Sequence, residues 1–150
     1  MTGMIITCAV LAATSTVNSK PFILEKAASI ASAGDKVYEQ AGPVSNLCWG
    51  ATWASLSIKG KVRFRGGFFA GEKQLSHRGY PFDLQVDSNA QCWIEDVPIL
   101  TPGIDFRQSQ PGEVHLSVAG NQYRDWYVQM GTLVCHARNV LNPDRGLVLW

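Results

Sequence analysis

Charged side chains are scarce in this sequence. Asp, Glu, Lys and Arg together make up 17% of the 150 residues, whereas an ordinary soluble domain carries roughly 25%. The formal net charge is only +1, which argues against a generally basic nucleic-acid-binding protein. Disorder is excluded as well, because hydrophobic residues make up 46% of the chain and aromatic residues 10%. The length predicts a single domain over residues 1–150.

The N-terminal segment lacks positive charge. An apolar run at residues 4–13 has the length of a signal peptide, but no Lys or Arg precedes Lys20. We therefore interpret residues 4–11 as a buried strand. The run is too short to cross a bilayer as a helix, and no other segment approaches about 18 apolar residues. The sequence predicts a protein without a membrane span and leaves its compartment open, with the cytoplasm or a virion favoured.

Metal-binding cysteine pairs are also absent. The chain has no Cys-x-x-Cys spacing, so a zinc ribbon or knuckle is not expected. Apolar neighbours favour buried free thiols over disulfides at all four cysteines, which are Cys8, Cys48, Cys92 and Cys135. Cys135 and His136 are adjacent, so on a strand they point to opposite faces and cannot share a metal ion. Phosphate-loop and metalloprotease motifs are missing too, and we expect neither a metal nor a cofactor.

The sequence is rich in the two-residue alternation of β-strands. Apolar and polar side chains alternate in residues 62–65 and 114–118. Residues 82–86 and 90–94 alternate in the same way around a turn sequence at 87–89, which predicts a hairpin. Short strands between Gly- and Pro-containing turns are typical of antiparallel sheets. We therefore predict a mainly-β fold, either an antiparallel β-sandwich or a partly closed barrel.

One N-terminal helix is predicted over residues 20–33. Ser19 can cap it, and Pro21 is tolerated in its first turn. An apolar stripe with helical spacing follows, consisting of Ile23, Ala27, Ile30 and Ala31. Gly34 supplies a stop. Residues 46–58 fit a helix or a strand, and Gly50 favours the strand.

A basic stripe is the strongest functional pattern. Its side chains share one parity of a predicted strand, so they project from one face about 6.6 Å apart; they are Lys59, Lys61, Arg63 and Arg65. Further candidate binding residues follow, namely Phe68, Phe69, Lys73 and Arg78. Residues 59–78 hold six Lys or Arg residues and one acid, whereas residues 83–113 hold six acids and one base. Opposite charges are therefore segregated along a chain that is nearly neutral.

Three interpretations of this charge segregation remain open. The basic strand can pair within the molecule with Asp83 and Asp87 on a neighbouring strand. Opposite patches can instead dock between copies of the protein or onto another protein subunit. The stripe can also bind the phosphates of a nucleic acid or another polyanion, with Phe68 and Phe69 stacked on bases.

A second pattern surrounds Cys48. Residues 46–51 (Asn-Leu-Cys-Trp-Gly-Ala) resemble the Cys-Trp step of papain-like cysteine peptidases, in which the cysteine begins the central helix. The resemblance implies a cysteine hydrolase, in which the imidazole of His115 activates the thiolate of Cys48 for attack on a carbonyl group. Asn142 or Asp144 would orient that histidine.

The sequence contains no strong catalytic motif, and we interpret it first as a non-enzymatic structural or adaptor subunit. Few charges and many aromatic residues are typical of a surface that is hidden in a protein interface. The subunit would assemble with itself or with another protein through sheet faces and loops, and a virion or phage particle fits this description. The alternatives are the cysteine hydrolase of Cys48 and His115, and a polyanion-binding module built on residues 59–65.

Overall fold

The computed structural model describes residues 16–49, 54–71, 81–101 and 103–150. These segments contain fourteen strands and no helix. The strands are β1 (Thr16–Asn18), β2 (Phe22–Leu24), β3 (Ala27–Glu39), β4 (Ser45–Trp49), β5 (Ala54–Arg65), β6 (Phe68–Gly71), β7 (Phe82–Val86), β8 (Gln91–Glu95), β9 (Ile99–Leu100), β10 (Phe106–Gln108), β11 (Glu113–Leu116), β12 (Trp126–Val128), β13 (Thr132–Cys135) and β14 (Leu147–Leu149). The mainly-β prediction is confirmed.

All strand pairs among the described residues are parallel. The prediction of an antiparallel β-sandwich or partly closed barrel is therefore wrong. Alternation along a strand shows which side chains face inward, but it is the same for parallel and antiparallel neighbours. Short, turn-rich segments favour antiparallel neighbours, but they do not determine the direction of a neighbouring strand.

The chain winds as a parallel β-solenoid. Asp83 pairs with Ser55 on one side and with Arg107 on the other, and Arg107 pairs in turn with Tyr127. Paired positions lie roughly 20 to 30 residues apart, the length of one coil in a repeating solenoid. Between the two ends of the solenoid, each strand thus stacks on the coil before it and is followed by the next coil on its other side.

The strands of a ten-stranded sheet curl into the shape of half a barrel. The sheet curls because the two halves of β5 pair with different strands. Residues 54–58 pair with β7, whereas residues 61–65 pair with β8. We call the first half of the sheet the front branch; it consists of residues 27–31, residues 54–58, β7, β10, β12 and β14. The second half is the ladder branch, made of β1, residues 35–39, residues 61–65, β8, β11 and β13. A separate four-stranded sheet of β2, β4, β6 and β9 is the back sheet.

Inward-facing side chains from both sheets share one apolar core. Stacked parallel strands bring equivalent positions over one another, so aromatic side chains form columns along the solenoid. In the front branch the ring of Phe106 lies between Phe82 and Trp126, with centroids 5.2 Å and 5.0 Å away. In the other half of the core, Phe64 stacks on Tyr38 at 5.2 Å and meets Phe69 edge-on at 5.1 Å. These contacts tie each coil to the next.

Buried amides complete the hydrogen bonding at the corners, where strands end. The Nδ2 of Asn46 donates to the carbonyl oxygens of Tyr38 and Arg65 at 2.9 Å and 3.0 Å. Asn121 accepts from the backbone N–H of Ile99 at 2.9 Å and donates to the carbonyl oxygen of Val140 at 2.6 Å. Backbone groups that lack a strand partner at these corners are thereby satisfied inside the fold.

Both strands of the predicted hairpin are present, but the predicted pairing between them is wrong. β7 and β8 correspond closely to the predicted residues 82–86 and 90–94. They do not pair with each other, because each is held by a different half of β5. The turn at 87–89 leads the chain around a corner, from the front branch to the ladder branch.

The predicted helix over residues 20–33 is wrong, because these residues contain β2 and the first part of β3. The helical stripe placed Ile23 and Ile30 on one side, yet Ile23 is 74% exposed and Ile30 is buried. Pairing of β3 with β5 decides the outcome. Small residues such as those of β3 carry only a weak intrinsic preference, which such long-range hydrogen bonding overrides.

The remaining predictions concern two possible strands, the cysteines and the membrane span, and some of their residues lie outside the described segments. In the ambiguous stretch 46–58, β4 and β5 agree with the preferred strand interpretation, and residues 50–53 lie outside the described segments, as does the strand predicted at 4–11. Cys48, Cys92 and Cys135 are free thiols, as predicted, but of these three only Cys92 is buried; Cys8 is not described. In the part of the chain that the structure describes, no helix is long and apolar enough to span a membrane.

Gly60 provides a test of the corner between the two branches. Its φ is +100°, and a Cβ there would overlap the carbonyl oxygen of Ser32 on the neighbouring strand. Gly120 has a similar φ of +81° with no heavy atom within 4 Å of its Cβ position in the described structure. Both alanine variants incur the strain of a positive φ, but only Gly60→Ala must also displace backbone. We expect Gly60→Ala to lose about 1–3 kcal/mol more than Gly120→Ala in urea unfolding; equal losses would contradict the close stacking of β3 on β5.

Candidate interaction surfaces

The basic stripe lies on β5, but the corner at Gly60 divides it. Lys59 precedes the corner and is exposed, at a position paired with Ala31. Lys61, Arg63 and Arg65 follow the corner and project outward from the ladder branch. The prediction that basic side chains share one face therefore holds for three of the four residues.

Acids from the adjacent coils form ion pairs with these three side chains. Asp35, one coil earlier, lies 3.6 Å from the Nζ of Lys61 and 3.5 Å from the Nε of Arg63. Glu95, one coil later, pairs with Arg63 and accepts from the Nε of Arg65 at 2.7 Å. This hydrogen bond to Glu95 raises the pKa of the Arg65 guanidinium. The stripe is an alternating ladder of charges rather than a free cationic surface.

Asp83 and Asp87 were the predicted partners of the stripe, and neither appears in this ladder. Asp83 lies on the front branch, where Arg107 donates to it at 3.0 Å and Ser109 at 2.7 Å. Asp87 lies in the turn after β7. The difference follows from the topology, because parallel winding places residues 61–65 beside residues 35–39 and 91–95 instead of beside 82–86.

A column of planar side chains continues the ladder. Trp93 pairs with Arg63 on one side and His115 on the other. The guanidinium carbon of Arg63 lies 4.5 Å from the indole centroid, and the imidazole of His115 stacks on the opposite side at 3.8 Å with an interplanar angle of 2°. Both faces of the indole are therefore covered, and Trp93 offers no platform for a sugar ring or a base.

His115 joins this column to two further polar groups. Its Nε2 lies 3.0 Å from an oxygen of Glu113, and its Nδ1 lies 3.0 Å from the Nε2 of His136. Glu113 and His136 thus contact opposite nitrogens of one ring, so the three cannot converge on a single ion. Within the described ranges, no three His, Cys, Asp or Glu side chains are arranged to hold a metal ion.

The residues predicted for cysteine hydrolysis lie in different parts of the fold. Cys48 is half-buried on β4 of the back sheet, whereas His115 is on β11 of the ladder branch. Asn142 donates to the carbonyl oxygen of Tyr123 at 3.0 Å and does not contact His115. This arrangement contains no thiol–imidazole pair of the kind that nucleophilic catalysis needs. Cys92 is not a substitute, because burial raises the pKa of its thiol.

The two aromatic residues of the predicted binding set are also buried or half-buried in the fold. Phe69 is buried against Phe64, and Phe68 is half-buried. Neither is displayed beside the basic side chains of β5. Lys73 and Arg78 lie outside the described residues.

An apolar surface that the sequence analysis did not select lies at one end of the solenoid. Leu147 and Leu149 pair with Trp126 and Val128, whose side chains are buried, so the two leucines continue the inward-facing columns. They are nevertheless 42% and 70% exposed. On β13, Leu133 and Cys135 pair in the same way with the buried residues Val114 and Leu116. These four residues, together with Met130 and Trp150, form what we call the open end.

The exposure of the open end has a topological cause. β13 and β14 are the terminal strands of the ten-stranded sheet, and each has a paired neighbour on one side only among the described strands. Trp150 is 82% exposed and Met130 54%. The apolar residues 147–150 are a visible signal in the sequence. Their sequence does not show how far these side chains are exposed in the fold, because that depends on where the coils stack.

Compared with known family models, curated proteins and solved structures, the chain matches none of them.

The charge ladder of β5 can be opened by substitution. Asp35→Asn together with Glu95→Gln removes the two acids that form ion pairs with Lys61, Arg63 and Arg65. We expect affinity for a single-stranded oligonucleotide at low salt to rise about tenfold, since the freed cations can then contact phosphates. The measurement is fluorescence anisotropy over a series of salt concentrations.

The control for this variant is Glu25→Gln with Asp144→Asn, which changes the net charge equally at exposed acids outside the ladder. An equal rise in affinity for both double variants would contradict the idea that local pairing masks the stripe.

Proposed function

We propose that this protein is a non-enzymatic structural or adaptor subunit, which assembles with protein subunits through the open end of its solenoid. The observation that carries the proposal is the exposure of Leu147 and Leu149 on the inward-facing side of β14. On the preceding strands of the same branch, the corresponding side chains Phe106 and Trp126 are buried. A virion or phage particle, built from repeated subunits, is the setting we propose.

The energetics of the open end support this proposal. Complete burial of one leucine side chain stabilises a protein by about 1.5–3 kcal/mol relative to exposure. Solenoid proteins normally cover their terminal repeats with a polar outer surface. Here Met130, Leu149 and Trp150 stand exposed together at or beside the terminal strands, so a partner that covers them gains apolar contact area.

Pairing of the ladder charges within the molecule also favours the open end as the assembly surface. Segregated charge along the sequence suggested docking between opposite patches, but the described acids and bases of the ladder pair within the molecule. Assembly through apolar contacts is insensitive to screening by salt, whereas assembly through charged patches weakens as salt rises. Salt dependence therefore separates the two modes of assembly.

A cysteine hydrolase and a polyanion-binding module remain the alternatives, and no contact in the described structure favours either. Cys48 and His115 lie in different sheets. The cations of β5 are paired with Asp35 and Glu95.

Native mass, measured by light scattering after size exclusion, tests the proposal. We expect a defined oligomer at low salt that persists at high salt, and a monomer for Leu149→Asp. The variant leaves a folded subunit, because Leu149 is already 70% exposed within it. Circular dichroism and the melting temperature check that folding.

Ile23→Asp is the matched control, since Ile23 is also strongly apolar and 74% exposed but lies on β2 of the back sheet rather than on β13 or β14. This variant should keep the oligomer. A wild-type protein that stays monomeric at high concentration would remove the main support for the proposed function.

A further inference from the structure

We propose that the Nδ1 of His115 and the Nε2 of His136 together bind one divalent transition-metal ion, of which Zn²⁺ is the probe. The site lies on the outward face of the ladder branch, between β11 and the residue that follows β13. Water molecules complete the coordination of the ion. This proposal is independent of the proposed function, because neither histidine belongs to the open end.

Glu113 determines which nitrogen of His115 offers a lone pair. One oxygen of its carboxylate lies 3.0 Å from the Nε2 of His115 and accepts a hydrogen bond from the Nε2 of Gln91 at 2.8 Å. Because a carboxylate only accepts, the proton of the neutral imidazole is on Nε2 and the lone pair is on Nδ1. A carboxylate on the second nitrogen is the usual outer partner of a histidine that binds a metal ion.

Packing holds the imidazole of His115 in one orientation. The ring stacks on the indole of Trp93 with centroids 3.8 Å apart, and His115 is buried. The cation on the opposite side of that indole, Arg63, is paired with Glu95. His115 therefore presents its Nδ1 without rearrangement, and a ligand that is already held in place binds more tightly than a mobile one.

His136 supplies the second nitrogen. Its backbone N–H donates to the carbonyl oxygen of Leu116 at 2.9 Å, and its Nε2 lies 3.0 Å from the Nδ1 of His115. Two nitrogen ligands of a tetrahedral zinc ion are about 3.3 Å apart, since each Zn–N bond is about 2.0–2.1 Å long. The side chain of His136 is exposed, so its ring can turn slightly and carry its own proton on Nδ1. The ion then replaces the proton that lies between the two rings.

The donor atoms select the class of metal ion. Neutral imidazole nitrogens suit Zn²⁺, Cu²⁺ and Ni²⁺, whereas Mg²⁺ and Ca²⁺ prefer oxygen ligands. Glu113 contacts the far nitrogen of His115, so it places negative charge near the ion without binding it. Because the chain supplies only two ligands, we expect reversible binding of Zn²⁺ with a dissociation constant on the order of 10–100 µM.

Isothermal titration calorimetry of the full chain with Zn²⁺ near neutral pH tests the site. We expect one ion per chain for the wild type and at least a tenfold loss of affinity for His136→Gln. This variant keeps the fold, because the side chain of His136 is exposed. Glu113→Gln, which changes a positioning residue, should weaken binding about tenfold, since an amide fixes the tautomer of His115 less firmly.

Cys135→Ser is the matched control, because Cys135 is an exposed thiol beside His136. Successive residues of a strand point to opposite faces, so this variant should bind Zn²⁺ as the wild type does. His77→Gln is the control for the remaining histidine of the sequence, which lies outside the described residues, and it should also leave the affinity unchanged.

Cu²⁺ provides a second readout, because an ion bound to His115 lies close enough to quench the fluorescence of Trp93. We expect quenching that saturates at one equivalent in the wild type and is lost in His136→Gln. Binding of Zn²⁺ that survives His136→Gln, or that is lost in Cys135→Ser, would overturn the proposal. So would a wild-type protein that binds no Zn²⁺, or one whose native mass rises with Zn²⁺, since the ion would then bridge two copies.

Discussion

The structure depends on one repeated interaction, the parallel hydrogen bonding of each coil to the next in a fixed register. That register places Phe82, Phe106 and Trp126 over one another inside the front branch. The same interaction places Arg63, Trp93 and His115 over one another on the outside of the ladder branch. Because neighbouring coils supply each other's hydrogen bonds and packing contacts, core and surface are both built from columns that run along the solenoid. A column has two ends, and the exposed leucines of β14 are the consequence at one of them.

Pairing of charged residues between adjacent coils also explains why opposite charges are segregated along a sequence that is nearly neutral. Arg63 and Arg65 lie far along the chain from Glu95, yet they are adjacent in space because a coil brings each position back beside its equivalent. These charges are paired within the fold, and exposed ion pairs contribute only about 0–1 kcal/mol each to stability. The surface that we propose for recognition is the apolar end of the columns at β13 and β14, where no described coil supplies the next layer.

Part of this fold could be predicted from local pattern. Alternation correctly located β7, β8 and β11, and it correctly directed Lys61, Arg63 and Arg65 outward. Alternation predicted the wrong partner for β7, because the turn sequence at 87–89 is compatible both with a chain reversal and with a corner of the coil. It also gave a helix over residues 20–33, since Ala- and Ser-rich residues satisfy two periods at once. The likeness to cysteine peptidases around Cys48 was equally local, and the winding puts His115 in another sheet.

The sequence by itself determined that this protein is mainly β, which side chains of each strand face inward, and where the apolar and charged groups lie along the chain. Composition and a two-residue period are properties of neighbouring residues, so they can be read without knowing the rest of the fold. Only the tertiary structure decided that the strands run parallel, which acids meet the cations of β5, and which inward-facing leucines are left uncovered. Those outcomes depend on hydrogen bonds between residues roughly 20–30 positions apart, and an isolated strand has the same backbone groups to offer a neighbour of either direction.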